Sequence, residues 1–274
     1  MRRFLGILVC LVAFAPVLQA AELKGRLAQG GLVFGLAAPG SRVRLNDKPV
    51  MVAADGRFVI GFGRDAPLEQ RLETIAPDGT PQVQLLQLED RTFKIERVDG
   101  LPPKTVTPPP EYYDRRKRET GMVRKARGEI SEQLFWEHGF QLPAEGRISG
   151  VYGSQRILNG KPRSPHYGLD VAAPKGTPVL APASGIVRLA EPDFLLEGGI
   201  LIIDHGFGVS STLMHLQSLD VAVGDHVEQG QKVASLGATG RASGPHVDWR
   251  INWFDVRVDP ALVLEETADA AGAP

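Results

Sequence analysis

The stretch PVLAPASGIVRLA (178–190) is a short apolar run punctuated by proline and glycine, and it decides the fold. GGILIIDHG (198–206) and SSTLMHLQSLDVAV (210–223) repeat the same pattern further along the chain. Runs of this length between turn-forming residues are typical of strands, and they leave little room for helices. We therefore predict a compact all-β domain over residues 143–264.

The part of the chain before this domain predicts a second, smaller β structure. RVRLNDKPVMVAADGRFVIGF (42–62) alternates apolar and polar residues and carries turn signals at Asn46-Asp47 and Asp55-Gly56. Such hairpin patterns predict a small β-sandwich over residues 21–100. The sandwich sequence has no cluster of His, Cys or acidic residues with ligand spacing, which favours an accessory role.

Two connecting segments complete the expected organisation. Five prolines in LPPKTVTPPP (101–110) indicate an extended linker. Residues 111–142 predict a basic helical segment, which either presents a solvated charged face or contacts an anionic polymer such as the bacterial cell wall. The tail, 265–274, has too few apolar residues to pack and is expected to be disordered. The residues expected on the apolar side of the helical segment are Met122, Ile130, Leu134 and Phe135.

The N-terminus has the layout of an export signal. Residues 1–20, MRRFLGILVCLVAFAPVLQA, combine a basic start, an apolar run and a small residue at the end. The run is interrupted by Pro16 and is short for a membrane span, although an N-terminal anchor is the alternative. We expect cleavage, a periplasmic location and no membrane span afterwards. Cys10, the only cysteine, would leave with the signal, so disulfide and thiol chemistry are not expected.

Composition excludes some partners. The 274 residues carry 31 basic and 32 acidic side chains, a formal net charge of −1. Such a balanced chain has no overall field that would draw it onto nucleic acid, and we expect no nucleic-acid partner. The 43% hydrophobic content supports a buried core rather than a disordered chain.

The candidate chemistry lies in the C-terminal domain, which holds five of the six histidines. SPHYGLDVAAP places His166 and Asp170 on one face of an extended chain, and SGPHVDWRINW does the same for His246 and Asp248. His215 lies within an apolar strand, where a lone histidine is more often a core residue. Each pair alone is weak, but two such pairs on neighbouring strands could form one metal site.

In order and spacing, these segments resemble the lysostaphin-type zinc peptidases of the M23 or LytM family. The resemblance rests on 146–187, DHGFGVSSTLMHL, VAVGDHVEQGQKVASLGATG and SGPHVDWRI. It implies an exported zinc endopeptidase that cuts the peptide cross-links of bacterial peptidoglycan, on an antiparallel β-sheet with one Zn²⁺ ion in an open groove.

The resemblance also implies roles for individual residues. His166 and Asp170 match a His-x-x-x-Asp pair of zinc ligands, and His215 and His246 match histidines that act beside the metal on water and the transition state. The third family ligand is the second His of His-x-His, where this chain has Asp248. We predict that a carboxylate oxygen of Asp248 takes the place of imidazole Nδ1 at the metal. Two carboxylates and one neutral imidazole would cancel the zinc charge, so a weaker Lewis acid or another metal is expected.

Two other functions compete with the endopeptidase. The first is a catalytically inactive regulator that activates a separate cell-wall amidase or binds a cell-division partner. Retention of four of the five family positions favours the enzyme. The second is a biotin or lipoyl carrier, suggested by VAVGDHVEQGQKVASLG, but Lys232 lies in a strand-like run rather than at a hairpin tip. We interpret His205 as structural, His226 as an exposed loop residue and His138 as lying outside the domain.

Overall fold

A computed structural model of the chain describes residues 20–99 and 111–271. The predicted signal, apart from residue 20, and the proline-rich linker lie outside the described residues. Within the described ranges, the helices are too short or too polar to cross a bilayer. The chain is mostly β with antiparallel sheets, which confirms the predicted fold class.

The N-terminal half forms a small sandwich of two sheets, as predicted. One sheet has the order β1-β2-β5 and the other the order β4-β3-β6-β7. Their facing side chains, among them Phe58, Ile60 and Leu72, are fully buried in one cluster. The strands of this half are β1 (Glu22–Lys24), β2 (Leu32–Leu36), β3 (Arg42–Leu45), β4 (Lys48–Val50), β5 (Arg57–Gly61), β6 (Glu69–Ile75), β7 (Pro81–Gln87) and β8 (Ile95–Val98).

The turn chemistry of the sandwich follows the sequence. Asn46 and Asp47 join β3 to β4 and have φ angles of 48° and 65°. A two-residue hairpin turn whose twist matches that of the flanking strands requires positive φ at both residues. The Asn side chain also accepts a hydrogen bond from the Arg71 amide on β6, which anchors the turn to the sheet.

The C-terminal half is built on one large sheet. Its main path runs β17-β14-β15-β16-β19-β12-β9, with β13, β18 and β20 paired to it off this path. A small separate sheet has the order β11-β10-β8. The strands are β9 (Arg147–Gly150), β10 (Gln155–Leu158), β11 (Lys161–Pro162), β12 (Leu169–Ala172), β13 (Pro178–Leu180), β14 (Gly185–Phe194), β15 (Gly198–Gly206), β16 (Val209–Leu219), β17 (His226–Val227), β18 (Lys232–Leu236), β19 (His246–Trp253) and β20 (Val256–Val258).

Side-chain alternation divides the large sheet into two faces. One face, which includes Leu213 and Trp249, builds the main hydrophobic core. We call the other the site face, and it includes Ile202, Met214 and Asp248. Its apolar part packs in a smaller cluster, while its polar part carries the candidate ligands.

A helix covers the apolar part of the site face. This helix, α1 (Glu111–Gly128), packs Val123 and Ala126 against the smaller cluster. The buried Glu119 accepts hydrogen bonds from Arg115 and from the Leu195 amide, each at 2.8 Å. These polar and apolar contacts hold the helix on the sheet.

The predicted apolar side of the helical segment was only partly right, since Leu134 packs against the main core but Met122 does not. Met122 is 38% exposed, and Ala126 packs in its place. Ile130, Leu134 and Phe135 lie beyond the end of the helix at Gly128, so helical spacing no longer relates them to Met122.

The two halves of the chain are in close contact. Leu32 and Val59 of the sandwich are buried in the main core of the C-terminal half. Strand β8 pairs with β10 in parallel, which joins the halves through a shared sheet. The predicted boundaries at residues 100 and 142 stay predictions.

The C-terminal tail requires a correction. A second helix, α2 (Pro260–Ala271), continues through 265–271, where the sequence predicted disorder. Asp259 caps it by accepting a hydrogen bond from the Ala261 amide at 2.9 Å, and proline at the first helical position favours the helix start.

Candidate metal centre

Three predicted ligands meet on the site face. His166, Asp170 and Asp248 each offer one ligand atom, and these atoms lie within 4.8 Å of one another. The meeting follows from strand pairing: Asp170 on β12 lies directly opposite Asp248 on β19, so both carboxylates project from the same face. His166 precedes β12 and is held by a backbone hydrogen bond from its amide to the Ser154 carbonyl at 2.7 Å.

The His166 ring is oriented for ligation. Its Nδ1 lies 3.2 Å from the Val151 carbonyl, an arrangement in which Nδ1–H donates and Nε2 is the ring nitrogen left to bind a metal ion or a proton. Metal-binding histidines commonly have this backbone support, because it fixes both the tautomer and the ring plane. His166 Nε2 lies 3.0 Å from Asp170 Oδ1 and 3.4 Å from Asp248 Oδ2.

These donors fit a divalent metal ion. His166 Nε2 and Asp170 Oδ1 are buried, and neither has a partner in hydrogen-bond geometry within the described part of the chain. The two atoms lie 3.0 Å from each other, and a shared cation between them would satisfy both. One imidazole nitrogen and two carboxylate oxygens are a donor set that zinc accepts, with a position left open.

The electrostatics of the cluster also suit a cation. Burial alone would lower the pKa of His166, but the carboxylates of Asp170 and Asp248 outweigh it and raise that pKa to about 10. The two acids therefore attract positive charge strongly enough to hold a proton on the ring when no metal competes. A divalent ion would replace this proton.

Arg250 forms an ion pair with Asp248, the third of the predicted ligands. Its Nη2 donates to Asp248 Oδ2 at 2.6 Å and its Nε lies 3.1 Å from Asp248 Oδ1. Asp248 is only 3% exposed. Burial alone would raise the pKa of Asp248, but Arg250 and then His166 hold it well below its usual range. The carboxylate is therefore ionised in the fold.

Two further histidines lie beside the cluster. The rings of His215 and His246 are 4.7 Å apart. His215 Nδ1 lies 2.9 Å from the Thr239 carbonyl and His246 Nδ1 lies 2.8 Å from the Gly244 carbonyl. With Nδ1 donating in each ring, both Nε2 atoms are left to exchange protons with a ligand. Burial lowers the pKa of His215, which keeps this imidazole neutral near pH 7.

The backbone at His215 explains why this residue leaves the core. Its φ angle is 65°, a left-handed value that is uncommon for a residue with a side chain. Met214 lies opposite Asp248 on the site face, so regular alternation would turn the next side chain into the main core. The unusual φ instead places the ring against His246. Such outliers persist where the surroundings hold them, often at functional sites.

Two glycines make room for the carboxylates. A Cβ atom at Gly168 would lie 2.1 Å from Asp248 Oδ1, and one at Gly150 would lie 2.1 Å from Asp170 Oδ2. Both distances are far below van der Waals contact. Glycine at 168 and 150 is therefore part of the cluster's construction.

The remaining histidines lie away from this cluster. His205 is fully buried between the Ser184 carbonyl and the Ser211 hydroxyl, and burial lowers its pKa to about 4, as expected for a structural residue. His138 and His226 are exposed and help to line a separate cavity of about 570 Å³. Lys232 lies in strand β18 and pairs with Asp220 at 2.9 Å, which gives no support to a carrier role.

Sequence reasoning missed Arg250 and the carbonyls that orient the histidines. Arg250 could have been found, since it follows Asp248 by two residues in a predicted strand and so shares its face. The Val151 and Thr239 carbonyls leave no sequence signal, because any residue type supplies a carbonyl.

Known proteins share this architecture. The sequence pattern of peptidase family M23 matches residues 164–260, which include every residue of the cluster. A crystal structure described as a peptidase M23 from Pseudomonas aeruginosa is 30% identical, with a TM-score of 0.67. The match covers 88% of this chain and 96% of that one. This chain belongs to peptidase family M23.

Curated relatives of this M23 chain carry cell-wall names. The peptidoglycan DD-endopeptidase ShyA of Vibrio cholerae is 26% identical over 204 residues, 70% of this chain and 42% of the relative. The cell division protein DipM of Caulobacter vibrioides is 33% identical over 131 residues, 46% of this chain and 21% of the relative. The chain thus spans less than half the length of these two relatives.

Proposed function

We propose that this M23 chain is an exported zinc endopeptidase that hydrolyses the peptide cross-links of bacterial peptidoglycan. His166, Asp170 and Asp248 would hold the ion, while His215 and His246 would act on the substrate. The observation that carries the proposal is the convergence of three ligand atoms within 4.8 Å beside two oriented imidazoles. Relatives such as ShyA, named a peptidoglycan DD-endopeptidase, support the substrate class.

The chemistry would be amide hydrolysis. Zinc, when bound, polarises the scissile carbonyl and makes water a better nucleophile at neutral pH. The water oxygen bonds to the carbonyl carbon, the C–N bond breaks, and the leaving nitrogen takes a proton. His215, neutral near pH 7 and held by the Thr239 carbonyl, is suited to accept the proton that water loses. His215 can then pass this proton to the leaving nitrogen. His246 lies beside it, where, once its ring carries a proton on both nitrogens, Nε2–H can donate to the developing oxyanion.

The location is proposed from the sequence. Residues 1–20 have the layout of a secretory signal, and the relatives' substrate lies outside the cytoplasm. A periplasmic location would bring the enzyme to its polymer.

A second function is favoured by one specific observation. Arg250 already pairs with Asp248 in a fork, so this carboxylate has a cationic partner without any metal. A metal-free member of the family could act as a regulator of a cell-wall amidase or bind a cell-division partner. The convergence of one imidazole and two carboxylates within 4.8 Å favours the metalloenzyme, because a regulator has no need of such a donor set.

The test uses the purified mature chain. We expect one zinc per chain and release of cleaved products from cross-linked muropeptides, detected by mass spectrometry. His166→Ala should lose both zinc and cleavage, whereas His226→Ala, which changes an exposed histidine, should keep both. A parent protein that folds, holds no zinc and raises the activity of an amidase would contradict the enzyme and support the regulator.

A further inference from the structure

We infer that Arg250 is a positioning residue for the metal centre: its guanidinium holds Asp248 in the orientation that ligates the ion and balances the second carboxylate charge. The inference rests on the proposed function, because it gives Arg250 a role only if a metal is bound. It concerns a residue that contacts a ligand rather than the ion or the substrate.

The contact geometry supports positioning. Arg250 reaches both oxygens of Asp248, with Nη2 at 2.6 Å from Oδ2 and Nε at 3.1 Å from Oδ1. A planar guanidinium that meets both oxygens of a carboxylate fixes the rotation of that group as well as its distance. Each carboxylate oxygen has more than one lone pair, so an oxygen that accepts from Arg250 can still face a metal ion.

The strand keeps Arg250 in place. Arg250 lies two residues after Asp248 on β19, so both side chains project from the site face. Across the sheet, Arg250 lies opposite Thr212 on β16, whose hydroxyl accepts a hydrogen bond from Arg127 of α1 at 2.9 Å. Arg250 thus lies opposite a strand residue that is tied to the helix, and its own side chain is 27% exposed.

The absence of a side chain at Gly168 leaves room for Asp248 and Arg250. A Cβ atom at residue 168 would lie 2.1 Å from Asp248 Oδ1 and 2.9 Å from Arg250 Cγ. The pair therefore occupies space that only glycine at 168 leaves open. A carboxylate confined by Gly168 on one side and by a guanidinium on the other has little freedom to turn away.

Charge gives Arg250 a second role. Asp170 and Asp248 together carry two negative charges, which would cancel a divalent ion completely. Arg250 is always protonated, so it returns one positive charge to the centre. The weak Lewis acid expected from the sequence alone is thus offset by a residue two positions further along the chain.

A positioning role and a competing role for Arg250 predict opposite changes in zinc affinity when Arg250 is removed. If Arg250 competed with the ion for Asp248, its removal would free the carboxylate and zinc would bind more tightly. If Arg250 positions Asp248, its removal leaves a buried carboxylate that can rotate, and zinc binds more weakly. Loss of a group that orients a metal ligand typically costs about 10- to 100-fold in metal affinity.

The experiment measures zinc affinity of the full mature chain by competition with a chromophoric chelator. We expect Arg250→Ala to weaken zinc binding about 10- to 100-fold, and Arg250→Lys to recover part of this loss because an ammonium keeps the charge without the fork. Arg188→Gln is the matched control: it breaks a similar part-buried pair with Asp204 at 3.1 Å and should leave zinc affinity unchanged. Circular dichroism would show that each variant is folded.

The outcomes separate the two proposals. Unchanged or tighter zinc binding by folded Arg250→Ala and Arg250→Lys variants would overturn the positioning role while leaving the metalloenzyme intact. A parent chain that binds no zinc would instead overturn the proposed function, and with it the role of Arg250.

Discussion

Replacing Gly168 by alanine should damage the metal centre without touching a ligand. The added methyl carbon would lie 2.1 Å from Asp248 Oδ1, 2.8 Å from the Trp249 carbonyl oxygen and 2.9 Å from Arg250 Cγ. The carboxylate would have to move by roughly 1 Å to reach ordinary contact, and the Trp249 carbonyl in the sheet cannot yield easily. Overpacking of this kind costs about 1–3 kcal/mol of folding free energy.

The expected result has two parts. The melting temperature of the metal-free protein should fall by roughly 2–12 °C, since about 1 kcal/mol corresponds to 2–4 °C in a chain of this size. Zinc affinity should fall at least about tenfold, because a displaced Asp248 oxygen no longer reaches a bond of about 2 Å. Calorimetry of the metal-free protein and chelator competition would measure the two effects.

The same substitution at another glycine separates the effect of overpacking at the metal centre from the effect of a glycine-to-alanine change in general. A Cβ atom at Gly244, just before β19, meets no heavy atom within 4 Å in the described structure, so Gly244→Ala should behave like the parent. If Gly168→Ala retained both the parent melting temperature and the parent zinc affinity, the placement of Asp248 against residue 168 would be wrong.

Three other changes have defined outcomes. His215→Ala should keep zinc but lose about 10²- to 10⁴-fold in cross-link hydrolysis, since it removes proton transfer and no ligand; unchanged turnover of muropeptides would make it a core residue. His205 has a pKa of about 4 in the fold, below the usual 6.5, so its contribution to stability is full above pH 6.5 and is lost as the pH falls towards 4, by up to about 3 kcal/mol. In urea unfolding, the stability of His205→Gln should therefore fall less steeply with decreasing pH than that of the parent, and an equal fall would show that His205 is not a buried neutral histidine. Asp259→Ala should cost about 2–4 kcal/mol in urea unfolding, because it removes the cap of α2 and leaves Arg91 without the carboxylate 2.8 Å away. Asp259→Asn should cost less, because the amide oxygen can still cap the helix and only the charge is lost; equal losses for both variants would argue against a contribution from the cap.

Local sequence pattern was sufficient for much of the fold. The hairpin at Asn46-Asp47 and the strand runs at 198–206 and 210–223 follow from turn chemistry and apolar periodicity, which act over a few residues. The pairing of β8 with β10 brings together residues about 60 positions apart, and local pattern contains no information on such a contact. The few apolar residues at 265–274 predicted disorder, whereas the Asp259 cap and Pro260 begin a helix that reaches Ala271.

The candidate site likewise has features that local sequence pattern predicts and features that depend on tertiary contacts. Alternation in strands predicted that His246 and Asp248 share a face, and the register of β12 with β19 then places Asp248 opposite Asp170. The left-handed backbone at His215 could not be predicted, because it depends on tertiary contacts around the strand. Arg250 was within reach of the alternation argument, yet its pairing with Asp248 depends on the space that Gly168 leaves.

The identity of the third metal ligand is the central claim, and zinc X-ray absorption of the loaded chain tests it most directly. Ligation by His166, Asp170 and Asp248 predicts a shell of oxygen atoms with the scattering of a single imidazole, at distances of about 2.0–2.2 Å. Asp248→His should add a second imidazole to that shell. A parent spectrum that already contains two imidazoles would mean that His246 or His215 binds the ion and Asp248 does not.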